Sequence, residues 1–129
     1  MKKSIFVLLT IISILSACKK ETVRVSGTVI DSSSSNPIEG AKVRLYCKVW
    51  DNLDFTGSSG ELAGEEVVYT DENGFFSVKL VSHCDEATVL VKKEDYYTYS
   101  ISSISDIDLE EDNVVEVKME PCGSAIQCY

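Results

Sequence analysis

The chain has 129 residues, of which 44% are hydrophobic and 26% are charged, and its formal net charge at neutral pH is −9. This length suits one domain with a hydrophobic core. The acidic balance argues against nucleic acid as a partner.

Residues 1–17 read as a signal peptide. Lys2 and Lys3 precede an apolar run at residues 5–15, which is shorter than the roughly 20 residues needed to span a bilayer. The run ends in Leu-Ser-Ala-Cys, which resembles a bacterial lipobox. The resemblance implies cleavage before Cys18 and lipidation of that cysteine, which would anchor the protein stably to a membrane. The alternative is an ordinary secretory signal followed by a chance cysteine.

Residues 18–22 then form a short lipidated tether. The residue after the cysteine is Lys19 rather than an aspartate, which favours the outer membrane over the inner one. We therefore expect a lipid-anchored protein of the bacterial cell envelope, on its periplasmic or surface face. Loss of Lys2 and Lys3 leaves ten basic and 21 acidic residues, a formal charge of −11, which favours solubility at a surface.

The clearest strand pattern lies at residues 41–50, where apolar residues alternate with polar or aromatic ones. A period of two places Val43, Leu45 and Cys47 on one face. The opposite, outward face carries a stripe of Lys42, Arg44, Tyr46, Lys48 and Trp50. Residues 23–30 repeat the alternation, with Gly27 in the inward register. Glycine inside a strand marks a bulge or the close approach of another backbone.

Further strands are predicted at residues 65–70, 75–81, 87–91 and 113–120, and residues 101–109 form an irregular edge or a short strand. Asn73-Gly74 lies between two of these runs, and this dipeptide is a strong hairpin signal. No helix of normal length is predicted. The sequence therefore predicts an all-β fold, a single β-sandwich of about seven strands.

Three motifs in this order resemble the carboxypeptidase regulatory-like domain, a transthyretin-like (prealbumin-like) family. They are G-x-V-x-D at residues 27–31, P-I-x-G-A-x-V-x-L at 37–45 and T-D-x-x-G-x-F-x-V at 70–78. The resemblance extends loosely to residue 119 through Tyr97 and a final V-x-V-x-M strand. It implies a Greek-key β-sandwich over residues 23–120, followed by a cysteine-containing tail at 121–129. Such a resemblance indicates fold more than function.

Four cysteines remain once Cys18 is assigned to lipid. An even number in an exported domain indicates disulfides, and three pairings are possible. The inward registers of Cys47 and Cys84, together with the short spacing of Cys122 and Cys128, favour the pairs 47–84 and 122–128. A zinc site is the alternative, but no C-x-x-C pair exists and His83 would point away from Cys84. We expect no metal and no cofactor.

The candidate partner-binding surface combines the outward stripe with the long, glycine-containing loop at residues 51–64. Trp50 is the kind of residue that anchors an interface, and a loop beside a rigid strand can adapt to a partner. The candidate residues are Tyr46, Trp50, Asp51, Asp54 and Phe55. Cross-strand pairing with acids and aromatics is the alternative for the stripe. Calcium is the alternative for the loop aspartates, although their spacing does not match an EF-hand.

No enzyme is expected. The single histidine and the absence of catalytic or phosphate-binding motifs leave no recognisable active site. The chain also lacks the histidines and the C-terminal Y-R-G-S of transthyretin-like hydroxyisourate hydrolases. We expect a non-enzymatic, lipid-anchored envelope protein that acts as an accessory binding module for a protein or glycan. The alternative is a structural or assembly component of the envelope, or of a pilus-like surface structure, that works through strand edges.

Overall fold

A computed structural model describes residues 21–50, 60–102, 109, 111–123 and 128, and these residues confirm the predicted all-β sandwich. They contain no helix, and therefore none long and apolar enough to cross a membrane. Residues 1–20 and most of the tail lie outside the described ranges. The seven strands found there are β1 (Glu21–Asp31), β2 (Lys42–Val49), β3 (Glu61–Tyr69), β4 (Phe75–Ser82), β5 (Glu86–Lys92), β6 (Tyr99–Ser102) and β7 (Asp112–Met119).

The strands form two sheets that enclose one core. The three-stranded sheet has the order β4-β1-β7 and the four-stranded sheet the order β3-β2-β5-β6. All neighbouring strands are antiparallel except β1 and β7, which are parallel. The predicted inward residues are buried, which is worth about 1.5–3 kcal/mol for each large apolar side chain. The fully buried side chains include Val23, Val29, Val43, Leu45, Val89, Val91 and Val117.

The three sequence motifs meet at one end of the sandwich. The Val29 N–H donates to the Gly74 carbonyl (2.8 Å), and the Ile38 N–H donates to the Val29 carbonyl (2.9 Å). The Thr70 hydroxyl accepts the Ala41 N–H (2.8 Å) and donates to the Ile38 carbonyl (2.6 Å). Thr70 is only 4% exposed, so these bonds satisfy a hydroxyl that water cannot reach. The motifs therefore join the loops that connect the two sheets.

The turn at residues 71–74 is not a hairpin, and that prediction is wrong. Strands β3 and β4 belong to different sheets, and the chain changes sheet within the turn. Gly74 has a φ of 72° but Asn73 does not have a positive φ, whereas a type I′ hairpin needs positive φ at both residues. Instead, Asp71 Oδ1 accepts the N–H groups of Asn73 and Phe75, both at 2.9 Å. These bonds from backbone N–H groups to the Asp71 side chain stabilise the turn through which the chain passes from one sheet to the other.

The predicted loop at 51–64 is too long, because residues 61–64 belong to β3. The β2–β3 register shifts between Cys47, which faces Gly64, and Lys48, which faces Leu62. Ala63 is therefore an extra residue in a β-bulge. A bulge breaks the alternation from which a strand is recognised, and this explains why the prediction began the strand too late.

The structure joins Cys47 to Cys84 and Cys122 to Cys128, the two pairs that were predicted from strand register and from short spacing, respectively. Cys47 is fully buried and Cys84 is 8% exposed. Their bond links β2 to the segment between β4 and β5, which connects the two sheets, with a Cα–Cα distance of 5.1 Å. Cys122 is also fixed by its N–H, which donates to the Asp95 carbonyl (2.8 Å).

Candidate functional site

The outward stripe belongs to β2, which is an inner strand of the four-stranded sheet. Strand β2 pairs with β3 on one side and with β5 on the other. Because Val43, Leu45 and Cys47 are fully buried, the alternate side chains of the strand face away from the core. Tyr46 lies among them and is partly exposed. The surface on which this stripe lies is called the outer face of the four-stranded sheet.

Tyr46 lies between two cations on this face. The Arg44 guanidinium carbon is 4.8 Å from the centroid of the Tyr46 ring, and Lys48 Nζ is 5.9 Å from it. Both separations are within cation–π range. Arg44 Nε also forms an ion pair with Glu65 Oε2 of β3 at 2.5 Å. Cross-strand pairing, the alternative explanation for the stripe, therefore holds for Arg44, while the Tyr46 ring lies between two cations of its own strand.

Trp50 follows β2 directly and is anchored on both its backbone and its ring. Its N–H donates to Asp85 Oδ2 (2.9 Å), and the Asp85 N–H donates in turn to the Lys48 carbonyl (3.0 Å). A Cβ atom placed on Gly60 would lie 3.2 Å from two carbons of the indole, so the ring packs on that backbone. Trp50 is nevertheless 43% exposed. Trp50 is therefore fixed in position and still exposes surface to solvent.

The structure describes only part of the candidate partner-binding surface, and its role in binding stays a prediction. Tyr46 and Trp50 are described, whereas Asp51, Asp54 and Phe55 lie in residues 51–59, outside the described ranges. The calcium alternative concerns the same residues. The sequence analysis missed Asp85 and Gly60, which hold Trp50. Neither could be found from periodicity, because each reaches Trp50 only through strand pairing.

The outer face carries further features that the sequence analysis missed. On β3, three apolar side chains are exposed: Leu62 (49%), Val67 (38%) and Tyr69 (63%). Between β2, β3 and β5 lies a shallow depression of about 240 Å³. We call it the basic depression; its lining residues are Lys42, Arg44, Glu65, Val67, Leu90 and Lys92. Exposed apolar area next to fixed charges is typical of surfaces that contact other molecules.

A second depression, of about 370 Å³, lies on the three-stranded sheet and has a different charge arrangement. Arg24 of β1 faces Lys79 of β4, and Asp112 of β7 lies 3.9 Å from Arg24 Nε. An acid therefore accompanies the cations at this depression. His83 is exposed. Within the part of the chain that the structure describes, no group of three or more His, Cys, Asp or Glu residues is placed to hold a metal ion.

A partly buried side-chain contact joins the end of β1 to the turn after β5. Asp31 Oδ1 accepts the N–H groups of Ser33 (2.7 Å) and Ser34 (2.9 Å), and Oδ2 accepts the Tyr96 hydroxyl (2.8 Å). These bonds, that of Ser34 most of all, hold the pKa of Asp31 below 3.8, while donation to Asp31 raises the pKa of Tyr96 above 10.0. The family resemblance had indicated the neighbouring Tyr97 as the tyrosine that follows a strand. Tyr97 is 40% exposed, and the bond to Asp31 is made by Tyr96.

We expect Tyr96→Phe to lower the free energy of unfolding at neutral pH and to change its pH dependence. A lowered folded pKa means that Asp31 contributes stability above its unfolded value of 3.8, lost as the pH falls through the folded pKa. The raised pKa of Tyr96 gives a contribution that is full below 10.0 and lost as the pH rises through the folded value. Urea unfolding across the pH range, with Tyr97→Phe as the control, measures both effects. Identical pH profiles for wild type and Tyr96→Phe would contradict the assignment.

Comparisons with known proteins show the fold alone. No protein-family model matches the chain, and neither does a curated protein. Structures of similar fold include catechol 1,2-dioxygenases from Acinetobacter radioresistens (TM-score 0.56, 15% identity) and from Pseudomonas arvilla C-1 (0.54, 10%). A third is the 3-chlorocatechol 1,2-dioxygenase of Rhodococcus opacus 1CP (0.52, 11%).

The alignments cover 82–86% of this chain but only 55–62% of those enzymes. The chain thus spans little more than half of their length. At 10–15% identity the likeness concerns the sandwich and carries no activity over to this chain.

Proposed function

We propose that this protein is a non-enzymatic, lipid-anchored component of the bacterial envelope that acts as an accessory binding module for a protein or glycan. The sandwich is proposed to be a carboxypeptidase regulatory-like domain, on the three ordered motifs whose residues meet at one end of the fold. The lipobox-like segment ending at Cys18 supports outer-membrane anchoring. The strongly acidic balance supports a partner other than nucleic acid.

The observation that carries the proposal is the exposed indole of Trp50. A tryptophan that served only to fill the core would be buried, whereas Trp50 is 43% exposed while its backbone and one ring face are fixed. Fixing the ring in advance lowers the entropy that a partner must overcome on binding. Tryptophan and tyrosine also contribute disproportionately to interface affinity. Trp50 and the cation-flanked Tyr46 together therefore support a contact surface.

A second candidate function is assembly through strand edges. Strand β3 lies at the edge of its sheet, and it exposes Leu62, Val67 and Tyr69. A long edge strand with exposed apolar side chains can accept a further strand from another chain. Three acids on β3 (Glu61, Glu65 and Glu66) disfavour pairing with a second copy of itself, because like charges would face each other. Chemical cross-linking of β3 to a different envelope protein would favour this function.

One expression series tests the proposal. Tagged wild type is expected in the membrane fraction and Cys18→Ala in the aqueous fraction, because the substitution removes the acceptor for lipid. In detergent pull-downs, Trp50→Ala is expected to weaken capture of the partner by about tenfold or more, the effect of losing an interface anchor. Phe75→Ala is the matched control, since Phe75 is 46% exposed on the other sheet.

Equal membrane association of wild type and Cys18→Ala would contradict the anchoring half of the proposal. Equal partner capture by wild type and Trp50→Ala would place the contact surface elsewhere. Urea unfolding of each variant confirms that the fold is unchanged, so that a loss of capture is a loss of contact.

A further inference from the structure

Cations are concentrated on the outer face of the four-stranded sheet. Eight of the twelve lysines and arginines follow residue 20, and four of these eight lie on this face, on β2 and β5. Among the described residues of β2, β3 and β5, the acids on this face are Glu65 and Glu86. In a chain with 21 acidic residues, this is a local reversal of charge. The four cations are Lys42, Arg44, Lys48 and Lys92.

Two of these cations oppose each other without an acid between them. Lys42 and Lys92 are direct cross-strand partners, and both line the basic depression. The ion pairs of the described residues include neither lysine. Like charges directly opposite each other destabilise a sheet, so folding does not account for the pair. On the other sheet, Arg24 and Lys79 also oppose each other, but there Asp112 accompanies them.

The rest of the depression is compatible with one anionic group on a larger ligand. Glu65 is already paired with Arg44, which leaves the two lysines as the free charges. Val67 and Leu90 form an apolar part of the lining. The volume of about 240 Å³ is below the range of about 300–1,000 Å³ of pockets that enclose a whole small ligand.

The position of the depression on the sheet favours a saccharide over a peptide. It lies over β2, whose backbone groups are used on both sides by β3 and β5. An extended peptide that recognises a sheet gains its affinity from free backbone groups at an edge, and these are missing at this depression. The surface instead offers side-chain donors and the Tyr69 ring, which is 63% exposed and faces Lys42 across the strands. Ammonium groups can form charge-assisted hydrogen bonds with the carboxylate or phosphate groups of an acidic sugar. An exposed aromatic ring can pack against the apolar face of the sugar ring.

We propose that the basic depression binds an acidic saccharide, with a carboxylate or phosphate group held between Lys42 and Lys92. This inference rests on the proposed binding function and names its ligand class. Lys42 and Lys92 hold the anion, and Val67, Leu90 and Tyr69 contact the sugar ring. The unfavourable lysine pair is relieved when the anion binds.

The test measures binding of polymers to the mature lipidated protein in detergent. The probes are polygalacturonate, a phosphorylated mannan, neutral dextran and poly-L-glutamate. We expect either acidic saccharide to bind, dextran and poly-L-glutamate to bind at least about tenfold more weakly, and salt to weaken binding. Lys42→Gln and Lys92→Gln are each expected to reduce affinity at least about fivefold, because each removes one charge-assisted hydrogen bond. Lys79→Gln, an exposed lysine on the other sheet, is expected to leave binding within about twofold.

Thermal unfolding provides a second measurement. Because the lysines repel each other, Lys42→Gln and Lys92→Gln are expected to unfold at the same temperature as wild type or higher at low salt. Equal affinity of these variants and wild type for the acidic polymers, no polymer binding at all, or equally tight binding of poly-L-glutamate would each overturn the inference. If Trp50→Ala abolishes partner capture while the lysine variants keep it, the proposed function stands and this inference fails. If no variant on this face changes capture, this inference fails and so does the assignment of the contact surface to this face.

Discussion

Gly27→Ala is expected to destabilise the sandwich by about 3 kcal/mol or more, a large effect for a single added methyl group. Gly27 lies in β1 opposite Val115 of the parallel strand β7. A Cβ atom on Gly27 would overlap the Val115 carbonyl oxygen and lie 2.9 Å from its carbonyl carbon. The obstructing atoms are backbone, so no rotamer change relieves the overlap. The strands must separate, which breaks their hydrogen bonds and exposes Val117 and Met119 of β7.

Gly64→Ala is the matched control for this prediction. Its Cβ would lie 3.2 Å from Ser82 Oγ and 3.4 Å from Leu80 Cδ1, and both are side-chain atoms that can move. We expect a change below about 1 kcal/mol, the range of substitutions that meet no rigid neighbour. Urea unfolding at fixed pH measures both variants. Equal unfolding midpoints for Gly27→Ala and wild type would show that β1 and β7 are not packed as described.

The inward and outward faces of the strands could be predicted from the sequence, because burial follows the period of two. In β2, the alternation predicted the buried Val43 and Leu45 and the outward Tyr46, and the structure places them so. The register also put Cys47 and Cys84 on inward faces, and the structure pairs them. Gly27 was predicted to mark a bulge or a close backbone approach, and the carbonyl of Val115 shows that it is the second.

Pairing between strands could not be predicted, because alternation along one strand contains no information about its neighbour. The Asn73-Gly74 turn illustrates this, since its local chemistry indicates a reversal of the chain but not whether the next strand returns to the same sheet. For the same reason the opposition of Lys42 and Lys92 was missed, although both residues were visible as charges. The contacts of Trp50 with Asp85 and Gly60 also depend on pairing. The candidate site was therefore predicted as a stripe of residue types, while its geometry required the sheet.

Removal of the Cys47–Cys84 disulfide is expected to cost about 3–4 kcal/mol in the free energy of unfolding. The bond closes a segment with a sequence separation of 37 residues, and the chain-entropy model gives this magnitude for a loop of that size. It also ties β2 to the segment between β4 and β5, next to Asp85, which holds the Trp50 backbone. We therefore expect Cys47→Ala/Cys84→Ala to lose both stability and partner capture at temperatures where the wild type retains them.

The Cys122→Ala/Cys128→Ala double variant is the control for this prediction. Its bond closes a separation of only 6 residues, so the same model gives a smaller loss of about 2 kcal/mol. Urea unfolding without reductant should rank wild type above this control, and the control above Cys47→Ala/Cys84→Ala. Only a variant that lacks both bonds should have the same free energy of unfolding as reduced wild type. If the two double variants lose equal stability, the Cys47–Cys84 bond contributes no more than the tail bond does, and the entropy argument for it fails. If stability falls as expected but partner capture below the unfolding transition does not change, the disulfide stabilises the fold without positioning Trp50.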